Sequence, residues 1–125
     1  NAEKPDMHLI EEASQVIAFD LVCTDEITTN KGLHHVATES TYKIAALAGK
    51  SPIVEKLSEL GQQQAIRERM NMLGDIATTV FMYQVGRRRG LFDSLIADFG
   101  ETKFCDGMRD NMRDRYNTLT ANMVE

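Results

Sequence analysis

The sequence has little of what marks membrane, nucleic-acid-binding or disulfide-rich proteins. It contains no tryptophan, two prolines, two cysteines and 6% aromatic residues. Its apolar runs are far shorter than the roughly 20 residues that a helix needs to cross a bilayer. Basic residues are not in excess, since 14 Lys and Arg stand against 19 Asp and Glu, for a net charge of −5. Because phosphate backbones attract positive surfaces, we expect no nucleic-acid partner.

What the sequence does contain is typical of one globular domain. The 125 residues are 42% apolar and 26% charged, which are ordinary proportions for a chain with a single hydrophobic core. The chain begins with Asn1 and Ala2 instead of Met. We interpret these two residues as the remnant of a removed or replaced segment. The predicted domain therefore covers residues 3–125.

Apolar residues recur at intervals of three and four along most of the chain, which is the period of amphipathic helices. The pattern predicts long helices over about residues 6–27, 33–48 and 62–86, and a last helix that begins near Thr102 as its N-cap. Shorter helices are expected over residues 52–60 and 91–99. No segment alternates apolar and polar residues as a strand does. The predicted fold is all-α, an irregular antiparallel bundle of four main helices and two short ones.

Turn-forming residues set the predicted helix ends. Ser51 followed by Pro52 is typical of an N-cap and the first helical position. Glycine readily adopts the left-handed conformation, so helices are expected to end at Gly49, Gly90 and Gly100. Gly61 either ends the short third helix or interrupts a longer one, and the sequence leaves both alternatives open.

The two cysteines, Cys23 and Cys105, lie on the apolar faces of the first and last predicted helices. Their spacing fits neither a metal site nor a CxxC redox motif, which leaves two buried thiols, one reactive thiol or a disulfide. Antiparallel packing of these helices would bring the cysteines together and favours the disulfide. A bridge over so long a loop would stabilise the fold by roughly 4.5 kcal/mol. Since disulfides persist in oxidising compartments, we predict a periplasmic or secreted protein.

Two His and Glu pairs are candidate metal ligands. His8 has Glu12 one turn later, and His35 has Glu39 in the same relation, so each pair could share an ion. The alternative is that all four are solvated residues on helix surfaces. The seven methionines offer soft ligands for Cu(I), core packing, or the lining of an adaptable groove.

Arginines form the most distinct charged feature. Three guanidinium groups in succession could bind a phosphate or carboxylate, or could complement the dipole at a helix C-terminus. On the last predicted helix, arginines alternate with aspartates, as in a solvated face of weak ion pairs or the polar rim of an interface. The predicted partner-binding set comprises Arg87, Arg88, Arg89, Arg109 and Arg113.

No catalytic motif is present. A nucleophile elbow, a phosphate-binding glycine loop and a His-Glu-x-x-His helix are all absent from the sequence, so we predict a protein that is not an enzyme and needs no cofactor. The leading hypothesis is an exported binding or inhibitory protein that acts on another protein, with self-association also open. The alternative is a carrier of a small ligand or metal in a Met-lined cavity between helices. In overall plan alone, the predicted domain is similar to helical periplasmic immunity proteins and acid-stress chaperones.

Overall fold

The computed structural model describes residues 8–48 and 51–121, apart from the side chains of residues 41 and 44–48. These residues contain no strand, which confirms the predicted all-α class. None of the described helices combines the length and apolarity that a bilayer crossing requires. The five helices are α1 (His8–Cys23), α2 (Asn30–Ala48), α3 (Pro52–Glu59), α4 (Gln63–Phe99) and α5 (Glu101–Leu119).

Helix α1 is the central element and packs against α2, α4 and α5. Its first turns lie beside the end of α5, where Arg115 contacts Glu12. Its last turn lies beside the start of α5, where Cys23 contacts Cys105. These two helices are therefore antiparallel, as predicted. The buried residues of α1 are Ile10, Ala13, Ser14, Val16, Ala18, Phe19 and Cys23.

The predicted disulfide is confirmed, since the Sγ atoms of Cys23 and Cys105 lie 2.11 Å apart and their Cα atoms 5.7 Å apart. It belongs to a cluster of buried residues from α1, α4 and α5. Within this cluster the ring of Phe104 lies 5.2 Å from that of Phe92 and 6.1 Å from that of Phe19, centroid to centroid. Met112 is 1% exposed in the same cluster, so this methionine serves core packing.

Helix α1 ends at Cys23, and the prediction that it continues to residue 27 is wrong. The carboxylate of Asp20 accepts hydrogen bonds from the backbone amides of Ile27 and Thr28, at 3.1 and 2.9 Å. Thr24, which lies in the turn between Asp20 and Ile27, has a φ of 51°. Because these bonds stabilise a loop, the helix stops early. Ile27 still packs against the core cluster, but from the loop.

Helix α2 begins at Asn30, three residues before its predicted start. The Oγ1 atom of Thr29 accepts a hydrogen bond from the amide of Gly32 at 3.0 Å, as an N-cap side chain does. The run of turn-forming residues over 28–32 therefore contains the start of the helix. The predicted end at Gly49 lies outside the described residues.

Helix α3 confirms the Ser51 and Pro52 boundary and resolves the question at Gly61. The Oγ atom of Ser51 accepts a hydrogen bond from the amide of Ile53 at 3.3 Å. Gly61 follows the end of α3 with a φ of +70°, in the left-handed region that favours glycine. It thus ends this helix and does not interrupt a longer one.

Helix α4 runs through Gly90 without a break, so the predicted end there is wrong. Ala77, Val85 and Phe92 are buried along its 37 residues at intervals of eight and seven, which keeps them on one face. A glycine inside a helix costs about 1 kcal/mol relative to alanine. Burial of a phenylalanine contributes roughly 1.5–3 kcal/mol and offsets that cost. The predicted long and short helices are therefore one helix, and the described part of the chain has five helices.

The junction between α4 and α5 corrects a second boundary. Gly100, with a φ of +92°, ends α4 as predicted. Helix α5 begins at the next residue, so Thr102 lies inside the helix and is not its N-cap. The N-cap position belongs to Gly100, which has no side chain to accept a hydrogen bond. Although threonine is generally favoured at an N-cap, a single glycine connects α4 to α5 here and occupies that position.

Candidate binding surfaces

Helix α4 exposes large apolar side chains on its outer surface. Met72, Ile76 and Tyr83, which we call the apolar stripe, are spaced by four and seven residues and so share one face. Their exposures are 62%, 50% and 67%. Met82 and Leu91 are also exposed on the same helix. Neighbouring exposed apolar residues mark interaction surfaces more often than isolated ones do.

The arginine run lies within α4 and not at its C-terminal end, so the predicted role in complementing the helix dipole is wrong. Consecutive helical residues are rotated by about 100°, which points the three guanidinium groups in different directions. Arg88 is half-buried, whereas Arg87 and Arg89 are exposed. Arg87 follows Tyr83 by four residues and therefore lies on the same helix face as the apolar stripe, one turn beyond it.

Arg109 is held by two aspartates. Its Nε and Nη2 atoms donate to the two carboxylate oxygens of Asp25 at 2.6 and 3.1 Å, and Nη1 donates to Asp106 at 2.8 Å. The hydrogen bond from Arg109 lowers the pKa of Asp25, and the charge of nearby Arg113 lowers it further. The same bonds raise the pKa of Arg109. Arg109 thus links the loop after α1 to α5, while Arg113 remains exposed.

The four predicted metal ligands are not gathered into one group. His8 and Glu12 border a cleft beside Arg115, whose guanidinium donates to the Glu12 carboxylate. His35 and Glu39 border a second cleft beside Lys43. Among the described residues, no three His, Cys, Asp or Glu side chains are placed to hold a metal ion. The positive charge of Arg115 also opposes a cation at Glu12.

A groove lies between α1, α2 and α4, with a volume of about 320 Å³. Met82 is the one methionine in its described lining, so the groove is not the Met-lined cavity that was predicted. None of the described lining residues carries a charge. These residues are Ile17, Leu33, Ala37, Ser40, Ala77, Thr78, Phe81 and Met82.

Ser40 is the unusual member of this lining. It is 5% exposed, and its Oγ atom has no hydrogen-bond partner among the described residues. Neither this hydroxyl nor the groove was predicted from the sequence. A signal was present, since Ser40 follows Val36 by four residues and Leu33 by seven, on the apolar face of α2.

No protein-family model, curated protein or solved structure matches the chain.

Proposed function

We propose that this chain is an exported, non-enzymatic protein that binds a partner protein through the outer surface of α4. The apolar stripe is the observation that carries the proposal. Met72, Ile76 and Tyr83 expose half or more of their side chains over three turns of one helix. Tyrosine, methionine and arginine are the residue types enriched at protein interfaces, and Arg87 adjoins the stripe.

The geometry also suggests the chemistry of the partner. An amphipathic helix face docks into an apolar groove or against another helix. Arg87 would favour an acidic group at the border of that surface, because a charged rim directs encounter and orientation. Arg109 contributes less to this proposal, since its guanidinium already binds Asp25 and Asp106.

Export is the second element of the proposal, and the Cys23–Cys105 disulfide supports it. Structural disulfides are rare in the reducing cytosol and common in secreted and periplasmic proteins. The thiol state of the protein in its native cells tests this element directly. Two thiols that react with an alkylating reagent before reduction would contradict export.

The binding surface is tested by site-specific photo-cross-linking in the native cells. A photoreactive amino acid at position 76 or 83 is expected to capture one defined protein, identified by mass spectrometry. The matched control places the same amino acid at Asn117, an exposed position on α5. Capture of a second copy of this chain from positions 76 and 83 would replace the hetero-partner by a homodimer. Equal cross-linking from position 117, or none from the stripe, would refute the surface.

A small-ligand carrier is the second candidate function. The apolar groove between α1, α2 and α4 favours it. The metal form of the carrier has no comparable support, since the described residues contain no group of three His, Cys, Asp or Glu side chains placed to hold an ion, and the described lining of the groove includes one methionine.

A further inference from the structure

We propose that the groove between α1, α2 and α4 binds a small uncharged amphiphile, whose apolar body fills the groove and whose single polar group bonds to Ser40. This site is separate from the apolar stripe, and its occupancy does not depend on the proposed protein partner.

The size and lining of the groove limit the ligand class. A volume of about 320 Å³ lies at the lower end of the range for small-molecule sites, roughly 300–1,000 Å³. The walls supplied by Ile17, Leu33 and Phe81 are apolar. None of the described lining residues could pair with a charged ligand. Because burial of an ion without a partner is strongly disfavoured, we expect a neutral ligand.

The unpartnered hydroxyl of Ser40 indicates where the polar group would lie. Hydroxyls in helices commonly donate to a carbonyl of the preceding turn. Thr78 and Thr79 do so in α4, at 3.1 and 2.9 Å, and Ser14 does so in α1, at 2.9 Å. Ser40 makes no such bond although it is almost completely buried. A buried polar group without a partner destabilises the protein, so a ligand that supplies the bond relieves this cost.

The hydroxyl of Ser40 can donate or accept a hydrogen bond, and rotation about χ1 can turn it towards the groove. A ligand hydroxyl, carbonyl or ether oxygen would therefore satisfy it. A purely apolar molecule of the same shape would fill the groove but leave Oγ unpaired. The proposal thus predicts discrimination between two ligands that differ only in that one group.

A pair of matched probes, 4-butylphenol and 4-butyltoluene, tests this discrimination in NMR titrations of the full chain. We expect saturable shifts at residues 33–40 and 77–82, and binding of the phenol about three- to tenfold tighter than that of the toluene. Ser40→Ala should remove the preference, because only the phenol bonds to the hydroxyl. Because the hydroxyl has no partner, this variant should melt at or above the temperature of the parent protein.

A groove-filling substitution tests the location. Ala37→Phe introduces a ring at an exposed position of the lining and should reduce binding of both probes at least tenfold. Ala97→Phe makes the same change at an exposed position of α4 outside the described lining and should leave both affinities unchanged.

Three results would overturn the proposal. The first is the absence of saturable shifts at the groove, and the second is binding that survives Ala37→Phe. The third is an equal preference for the phenol in the parent protein and in Ser40→Ala. A failure of cross-linking from the apolar stripe, by contrast, would contradict only the proposed partner surface. It would have no bearing on the affinities of the two probes for the groove.

Discussion

Two sides of the molecule are built differently. On the disulfide side, the last turns of α1 pack against the end of α4 and against helix α5. Cys23, Cys105 and the phenylalanine cluster hold these three helices together. The groove side joins α2 to residues 72–83 of α4 and contains an open groove, an unpartnered serine and the apolar stripe. Dense packing and a covalent link concentrate stability on one side, whereas incomplete packing leaves the other able to bind.

Removal of the disulfide should produce the largest loss of stability. We expect the double variant Cys23→Ala and Cys105→Ala to lower the free energy of unfolding by about 4 kcal/mol, because the bridge closes a long loop in the unfolded chain. Urea denaturation of the oxidised parent and the double variant measures the difference. A loss below about 1 kcal/mol would show that the disulfide side depends little on its covalent link.

Two phenylalanines provide a direct comparison of the sides. Phe92 is 3% exposed and packs against Phe104, so Phe92→Ala should lower the free energy of unfolding by about 3–4 kcal/mol. Phe81 is half-buried in the groove lining, and Phe81→Ala should cost about 1–2 kcal/mol. Thermal or urea unfolding measures both. An equal loss at the two positions would remove the contrast in packing.

The link between α2 and α5 is tested at Gly32. A Cβ atom built at this glycine would lie 1.6 Å from the hydroxyl oxygen of Tyr116, which accepts a hydrogen bond from the amide of Thr29 at 3.0 Å. Gly32→Ala should therefore lower the free energy of unfolding by about 2 kcal/mol.

Gly107→Ala is the matched control for this substitution. It lies within α5, where a Cβ atom would meet nothing within 4 Å, so the higher helix propensity of alanine should stabilise the protein slightly. If urea denaturation showed the same increase in the free energy of unfolding for both variants, the close approach of Gly32 to Tyr116 would not contribute to stability.

A smaller, pH-dependent effect is expected at Asp25. Arg109 holds the pKa of this carboxyl below its ordinary value of 3.8 in the folded protein. The unfolded chain therefore binds a proton more readily, and the ion pair stabilises the fold above about pH 4. This contribution disappears as the pH falls through the lowered pKa.

Asp25→Asn should accordingly reduce the melting temperature at neutral pH, and the difference from the parent should shrink below about pH 4. Asp110→Asn, at an exposed position on α5, controls for the change in net charge. A difference for Asp25→Asn that stayed constant from pH 7 to pH 3 would contradict the proton linkage.

Much of the disulfide side could be predicted from the sequence because periodicity carries the information. The apolar positions of the first and last helices recur every three or four residues, and both cysteines fall on those faces. Cys23 lies near the end of the first helix and Cys105 near the start of the last, so antiparallel packing of these two helices pairs the cysteines. The helix ends were predicted less well, because Asp20 and Thr29 set them through side-chain bonds to specific amides.

The groove side was harder to predict. On the disulfide side too, the continuity of α4 through Gly90 was missed, because it depends on the burial of Phe92 against α1 and α5, which outweighs the local preference of glycine. The groove itself requires three helices to leave space between them, and no single helix pattern records that space. Ser40 was visible as a hydroxyl on an apolar face, but its lack of a partner is a property of the assembled structure.

Native-state hydrogen exchange tests the contrast between the two sides most directly. We expect amides in α5 and in residues 85–99 of α4 to exchange only through global unfolding. Amides in residues 33–40 of α2 and 72–83 of α4 should exchange through smaller openings at lower free energy. Equal opening free energies on both sides, or stronger protection around the groove, would contradict this account.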